Sequence, residues 1–316
     1  LNARMRHASN TMRKHLPTDF RAAVDVLRKV VPHMPKNYTA LLAPDLIGQF
    51  GLHDPAFSLE ALKFFTSFGS SEFAVREFFR RDVPGTLKVM RQWAEDDNEH
   101  VRRLASEGSR PRLPWSFRLD AVLRDPQLTT PILERLRADD SLYVRKSVAN
   151  HLNDFSKDHP KYMVELLRSW DREHPHTAWI AKHASRTLIK AGDPAALALF
   201  AFDTKVKVRV DHLTVSPRCL MLGDTLEFAF TVNSEATCAQ QLVIDYAIHY
   251  RKANGGTAKK VFKLKEVELA PMGSLSLSKR QRIIDFSTRK HHPGEHVVEV
   301  LVNGKAIAAA TFVLSI

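Results

Sequence analysis

The sequence predicts a multidomain fold: an all-α helical-repeat solenoid followed by an all-β sandwich. Two observations carry this reading. The spacing of apolar residues changes character near residue 203, and the chain before that point repeats itself. Before the change, apolar residues recur at helical intervals, with Phe20, Val24, Leu27 and Val31 in one stripe and Met163, Leu166, Leu167 and Trp170 in another. After it, strict alternation takes over in Val206, Val208 and Val210, in Leu226, Phe228, Phe230 and Val232, in Leu242, Ile244, Tyr246, Ile248 and Tyr250, and in Val298, Val300 and Val302. Period two marks half-buried strands. The predicted domains are therefore residues 1–203 and 204–316, and 316 residues with 44% apolar content suffice for two packed cores.

The helical half contains two clear copies of one pattern. Asp96-Asp97-Asn98-Glu99-His100-Val101-Arg102-Arg103 and Asp139-Asp140-Ser141-Leu142-Tyr143-Val144-Arg145-Lys146 share an acidic pair, three residues, a valine and two basic residues, 43 positions apart. That offset is close to the period of HEAT-type repeats. Weaker copies flank them at Phe73-Ala74-Val75-Arg76 and Trp179-Ile180-Ala181-Lys182, with irregular offsets of 26 and 36 residues, so the array is imperfect. An aspartate is expected to cap each helix, the valine to begin an apolar stripe (Val144, Val148, Leu152), and the basic residues to project from another face. Stacking would line a concave surface with Arg102, Arg103, Arg145, Lys146, Lys182 and Arg186.

In the second half, turn signals at Gly223-Asp224, Asn254-Gly255-Gly256, Pro293-Gly294 and Asn303-Gly304 separate the alternating segments. About seven short strands in roughly 110 residues is the pattern of an immunoglobulin-like sandwich. A suitably placed cysteine pair and core tryptophan are missing, so the expectation is an Ig-like topology and not an antibody-type domain.

Charge and motifs narrow the function. The chain carries 47 Lys/Arg against 35 Asp/Glu, a net +12, which points to a polyanionic partner such as nucleic acid. The charge divides evenly: 31 basic against 25 acidic residues in 1–203, and 16 against 10 in 204–316. No apolar run approaches the roughly 20 residues needed to cross a bilayer. Cys219 and Cys238 match no zinc spacing and are too few for a disulfide framework, although a single pair is not excluded; a reducing cytosol is the expectation. The chain opens on Leu1, so a preceding stretch could hold a targeting signal; the residues present show none. There is no phosphate-cradling glycine loop, no Gly-x-Ser-x-Gly and no His-Glu-x-x-His, which leaves cofactor-free chemistry. His291, His292 and His296 across a Pro-Gly turn, and His174 and His176 around another proline, are read as solvated turn histidines in preference to a metal site.

Acids set among the basic repeats ask for a reason, because a carboxylate on a phosphate-binding face weakens affinity. Glu72 opens the first helix of the series, where it could simply favour a helix N-terminus. Glu107 lies one turn after Arg103, with Arg110 completing the row, and Arg103-Glu107 could be a surface ion pair. Asp154 falls late in its helix, where the macrodipole disfavours an acid, which tilts it toward function.

The segment Leu104-Ala105-Ser106-Glu107-Gly108-Ser109-Arg110-Pro111-Arg112-Leu113-Pro114-Trp115 is the most specific in the chain. With Ser71-Glu72-Phe73-Ala74-Val75-Arg76, the Val144 to Asp154 helix and Trp179-Ile180-Ala181-Lys182-His183-Ala184-Ser185-Arg186-Thr187-Leu188, it resembles the AlkC branch of the AlkC/AlkD-type alkylpurine DNA glycosylases. The resemblance covers roughly residues 15–203, and the Ig-like half is similar to a domain appended in one subgroup of that branch.

The resemblance implies a monofunctional DNA glycosylase that needs neither cofactor nor metal. Its substrates would be cationic alkylated bases in duplex DNA, N3-methyladenine and N3-methylcytosine, attacked without a flipped-base pocket by a carboxylate-stabilised, oxocarbenium-like route. It further implies that Glu72 faces the damaged sugar, that Asp154 has the main electrostatic role, and that the π-face of Trp115 sits against the sugar or the cationic base. Glu107 and Arg110 would hold the distorted backbone, and Arg102, Arg103, Arg145, Lys146, Lys182 and Arg186 would grip phosphates. The expected partner is alkylated double-stranded DNA, bound by a monomer in the bacterial cytoplasm. The eleven basic residues between 251 and 290, against Glu266, Glu268 and Asp285, suggest a second DNA-contacting surface or a sheet edge guarded by lysines. The competing reading is a non-catalytic helical-repeat scaffold for distorted DNA, RNA or an acidic protein.

Overall fold

The computed structural model describes residues 2–35, 37–287 and 289–316, with the side chain of Asn2 left aside. The chain forms two compact units, 1–185 and 186–316. The boundary expected at 203/204 thus falls inside the second unit. Among the described residues no helix is long and apolar enough to cross a membrane.

The first unit contains α1 (Asn2–Lys14), α2 (Phe20–Val30), α3 (Leu42–Phe50), α4 (Pro55–Phe65), α5 (Val75–Arg81), α6 (Val83–Trp93), α7 (Glu99–Gly108), α8 (Asp120–Arg124), α9 (Thr130–Arg135), α10 (Leu142–Asp158), α11 (Pro160–Ser169) and α12 (Pro175–Ala184). Local chemistry places their starts. Asp19, Asp54 and Asp82 accept a backbone N–H from the first turns of α2, α4 and α6, and Pro55 follows Asp54 at the first helical position. α10 is the pivot of the unit, packing on α7 on one side and α12 on the other. Its stripe Val144, Val148 and Leu152 is fully buried. Gly108 lets the end of α7 approach α5, since a Cβ there would meet Val75 Cγ1 at 2.6 Å.

The repeat is real, but its acids do a different job from the one expected. Asn98 and Ser141, not the aspartates, occupy the cap positions of α7 and α10. Asp96 and Asp139 instead close the turn before each helix, accepting from Asn98 N at 2.9 Å and Ser141 N at 2.8 Å. The following arginine completes the motif: Arg102 Nη1 donates to the Asp96 and Asp97 carbonyls, and Arg145 Nη1 to those of Asp139 and Asp140.

Among the described residues the second unit opens with two short helices, α13 (Arg186–Ala191) and α14 (Pro194–Leu199), before eight strands: β1 (Val208–Ser216), β2 (Cys219–Met221), β3 (Thr225–Ser234), β4 (Gln240–Arg251), β5 (Thr257–Leu269), β6 (Ser274–Arg282), β7 (Gly294–Val302) and β8 (Lys305–Ser315). They make a three-stranded sheet, β1-β3-β6, and a five-stranded sheet, β2-β8-β7-β4-β5. The inward residues of both sheets, among them Leu226, Phe228, Tyr246, Ile248, Val300 and Phe312, form one core. Tyr246 in β4 packs on Phe228 and donates to Gln281 Oε1 of the other sheet at 2.9 Å. The outward positions Val243, Asp245 and Ala247 are buried too. The helices belong here through tight contacts. Lys190 donates to the Val261 carbonyl at 3.0 Å, and a Cβ on Gly304 would lie 2.2 Å from Gly192 Cα.

Two of the five histidines expected in solvated turns are internal. His291 accepts burial beside Asp285 and Tyr250, and His296 is stacked on Phe312 with its Nε2 donating to the His292 carbonyl. His174 is exposed and caps α12. Cys219 and Cys238 are free thiols.

Candidate active site

The three acids singled out in the sequence converge in the first unit through two arginines. Glu72 does not open α5 as expected but lies in the turn three residues ahead of it, next to Ser71, whose hydroxyl donates to the Leu62 carbonyl and whose own carbonyl accepts from Val75 N. Its Oε2 accepts from Ser70 Oγ at 2.8 Å and from Arg103 Nη1 at 2.5 Å. Arg103 projects from α7 toward Glu107 one turn later, at 3.7 Å. Arg110, just past the end of α7, spans the next gap: Nη1 donates to Glu107 Oε1 at 2.6 Å and Nε to Asp154 Oδ2 of α10 at 2.9 Å. Lys157 stands 3.7 Å from the other Asp154 oxygen. The result is a continuous line of alternating charge, Glu72–Arg103–Glu107–Arg110–Asp154, crossing three structural elements.

The line is largely withdrawn from water, with the Asp154 side chain only 3% exposed. Burial pulls the Asp154 carboxyl above its ordinary value, partly opposed by Arg110. Burial also works against the Arg103 and Arg110 charges, but their carboxylate neighbours outweigh it and hold both guanidiniums above their usual range. The Arg103-Glu107 pair is therefore not a surface ion pair, and Arg103 additionally lies over the Tyr143 ring at 4.8 Å.

Trp115 sits beyond this line on the loop joining α7 to α8. It is 72% exposed, an unusual position for the largest apolar side chain, and its backbone is left-handed with φ 63°. A cleft of about 440 Å³ opens beside it, walled by Phe73, Trp115 and Phe117 and edged by Asp45, Glu77 and Arg80. Phe73, which follows Glu72 in the chain, is the point where the cleft comes nearest in sequence to the network.

Residues 60–188 match the family described as DNA alkylation repair enzyme, and residues 209–316 match the C-terminal Ig-like domain of the uncharacterised protein YhaZ. The uncharacterized protein YhaZ of Bacillus subtilis (strain 168) is 43% identical over 305 residues, covering 96% of this chain and 85% of that one. The solved structure of Pseudomonas fluorescens alkylpurine DNA glycosylase AlkC, bound to DNA containing an abasic site analog, is 48% identical, with a TM-score of 0.94 over 99% of this chain and 87% of that one. The chain belongs to the AlkC-type alkylpurine DNA glycosylase family.

Within that family frame, the predicted site residues separate into groups. Glu72, Arg103, Glu107, Arg110 and Asp154 are joined in the network, and Trp115 lies on the adjoining cleft. Arg102 and Arg145 are committed elsewhere. Besides its own loop carbonyls, Arg102 clasps the Asp139 carboxylate of the next repeat at 2.7 and 3.1 Å, so it fastens one repeat to another. Lys146 is exposed on α10, Lys182 is half-buried on α12, and Arg186 begins the second unit. Sequence reasoning passed over Arg76, Phe73 and Phe117. A signal for Arg76 existed: it follows Val75 just as Arg102 follows Val101 and Arg145 follows Val144.

Proposed function

We propose that this chain is a monofunctional DNA glycosylase that hydrolyses the N-glycosidic bond of cationic alkylated bases, N3-methyladenine and N3-methylcytosine, in duplex DNA. The observation that carries the reading is the buried carboxylate line ending at Asp154, with an exposed tryptophan on the loop that follows Arg110. Alkylation makes the base cationic, so it departs neutral and needs little acid catalysis. What must be stabilised is positive charge developing on the sugar, and a carboxylate in a low-dielectric setting does this with greatest effect. Asp154 takes the main electrostatic role, Glu72 orients water or shares the charge, and the Trp115 face packs against the sugar or base.

The arginines hold the acids in place. Glu107 and Arg110 brace the distorted strand, and Lys146, Lys182 and Arg186 grip phosphates in a sequence-tolerant way suited to scanning for damage. Water adds to the anomeric carbon of the sugar as the bond to the base breaks and the base leaves neutral, without being flipped into a pocket, and the enzyme works as a cytoplasmic monomer. That the AlkC structure holds DNA with an abasic site analog supports DNA as the partner, since an abasic site is what base removal leaves.

The test is release of free methylated bases, by chromatography with mass detection, from duplex DNA treated with a methylating agent. Wild-type protein should release N3-methyladenine or N3-methylcytosine, and Asp154→Asn should not, while still binding duplex. Binding without release by the wild type would replace this reading with the non-catalytic scaffold.

A further inference from the structure

We propose that Arg76 is a positioning residue for the reaction just described, a buried clamp that holds the Trp115 loop in its working conformation. The inference rests on that functional reading and on contacts independent of it. Arg76 is fully buried, 0% exposed, and has no carboxylate of its own within ion-pair distance among the described residues. Its guanidinium is spent on backbone. Nη1 donates to the Gly108 carbonyl at 3.2 Å and to the Arg110 carbonyl at 2.6 Å, and Nη2 donates to the Phe117 carbonyl. Those three carbonyls bracket the loop: the first two leave the end of α7, and the third lies two residues beyond Trp115. Nε finds no acceptor.

Phe117 is held through its ring as well. The Arg80 guanidinium lies 3.6 Å from the centre of its ring, and Arg76 lies 5.2 Å from it. α5 therefore grips both ends of the segment that presents an exposed tryptophan in a left-handed backbone, a conformation that persists only when its surroundings impose it.

The repeat explains the origin of the clamp. Arg102 and Arg145 bind the carbonyls of the acidic pair in their own repeat. The first copy has Ser70-Ser71-Glu72 in place of such a pair, and its arginine reaches forward to the next loop instead. Burying a cation to bind neutral carbonyls is a costly way to close a loop. Burial and the nearby Arg110 charge bring the Arg76 pKa down to about 10, so it remains protonated at neutral pH. A planar fork with fixed donor directions sets the distance between the two loop ends, which a single point donor does not.

The test uses the full-length chain labelled with 5-fluorotryptophan, whose four tryptophans, 93, 115, 170 and 179, give four fluorine resonances. Trp115→Phe assigns the relevant line. In Arg76→Met that line should shift or broaden while the other three stay in place. Single-turnover base release should fall by about a hundredfold, with Kd for methylated duplex changed less than about threefold. Adding Arg76→Met to Trp115→Ala should cost no further rate. Arg76→Lys, which keeps the charge and most of the volume, should behave like Arg76→Met and serves if the latter does not fold. An unmoved Trp115 line, or rate losses that simply multiply in the double variant, would overturn the proposal. If the wild type releases no base, the functional reading has failed and the fluorine spectrum alone decides the clamp.

Discussion

A carboxylate as deeply buried as Asp154 pays several kcal/mol for leaving water, and only close cations make its ionised form tenable. Arg110 supplies the closest compensation while also serving Glu107, so the two acids share one hydrogen-bonding side chain. Arg110→Met should destabilise the fold by about 3 kcal/mol or more, since it leaves the buried Glu107 and Asp154 with only the more distant Arg103 and Lys157, each at 3.7 Å, and urea denaturation reads this directly. Because burial raises the Asp154 pKa and the reaction needs the carboxylate, the rate should fall on the acid side at a pH above the ordinary aspartate range. A pH–rate profile with its acid limb at or below the usual value would remove Asp154 from the rate-limiting charge stabilisation. Trp115→Ala should reduce turnover more than affinity; the opposite order would make Trp115 a docking residue. At this scale the acids were legible because they stood in unfavourable places along the sequence. Arg76 was not, because a basic residue beside a valine reads as one more exposed cation until its carbonyl partners, more than thirty residues away, are seen.

At the scale of elements, periodicity located the helices of the repeats and the alternating strands, while it misassigned the polar residues between them. Asp96 and Asp139 were expected as caps because aspartate favours that role, yet a residue two places later in each copy occupies the cap. Arg102 and Arg145 were expected on DNA for their charge. Their carbonyl contacts depend on how a turn folds back on its helix, which spacing does not encode. This separates two substitutions. Arg102→Ala should cost about 2 kcal/mol of stability, by leaving the nearly buried Asp139 carboxylate short of donors, with no change in the salt dependence of DNA binding. Lys146→Ala should leave stability unaltered and lower the slope of log K against log salt by about 0.9.

α10 carries a further test. His151 is completely buried, its Nδ1 donates to the Ser106 carbonyl at 3.0 Å, and Nε2 lies 3.2 Å from Thr129 Oγ1, an arrangement that suits the neutral ring. Burial depresses its pKa to about 3 from 6.5. The unfolded chain thus binds the extra proton first, so this residue's contribution to stability is complete above pH 6.5 and declines as pH falls toward 3. The slope should be on the order of 1 kcal/mol per pH unit and absent in His151→Gln, as measured by denaturation at stepped pH. An identical slope in the variant would show that other groups control it.

At the scale of the whole molecule, the sequence supplied two domains, their order and their shared positive charge. Residues 186–203 are where spacing and contacts part company. They are helical, as their apolar periodicity requires, and yet they belong to the β unit, because Gly192, Gly304 and the Lys190–Val261 contact join them to the sheet. Asp245, buried near Lys190 and pushed up to about 6, lies on that outward sheet face. The basic residues of β5 are divided as well: Lys259 pairs with Glu299 and Lys263 with Glu266. If the β unit contacts DNA, Lys252→Ala with Lys265→Ala in the full-length chain should flatten the salt slope by about 1.8 in total. An unchanged slope would leave those lysines as guards of a sheet edge.

Apolar period, turn chemistry and net charge are properties of neighbours along the chain, and from them the sequence alone determined the helical repeats and the sandwich, while the acids were singled out by standing among basic residues and given roles by the family resemblance. The partner of each charged side chain is a property of distance in space. Only the tertiary structure decided that Arg102 fastens repeats, that the acids share Arg110, and that Arg76 grips both ends of the tryptophan loop, because a guanidinium bonds whichever oxygen folding brings within about 3 Å.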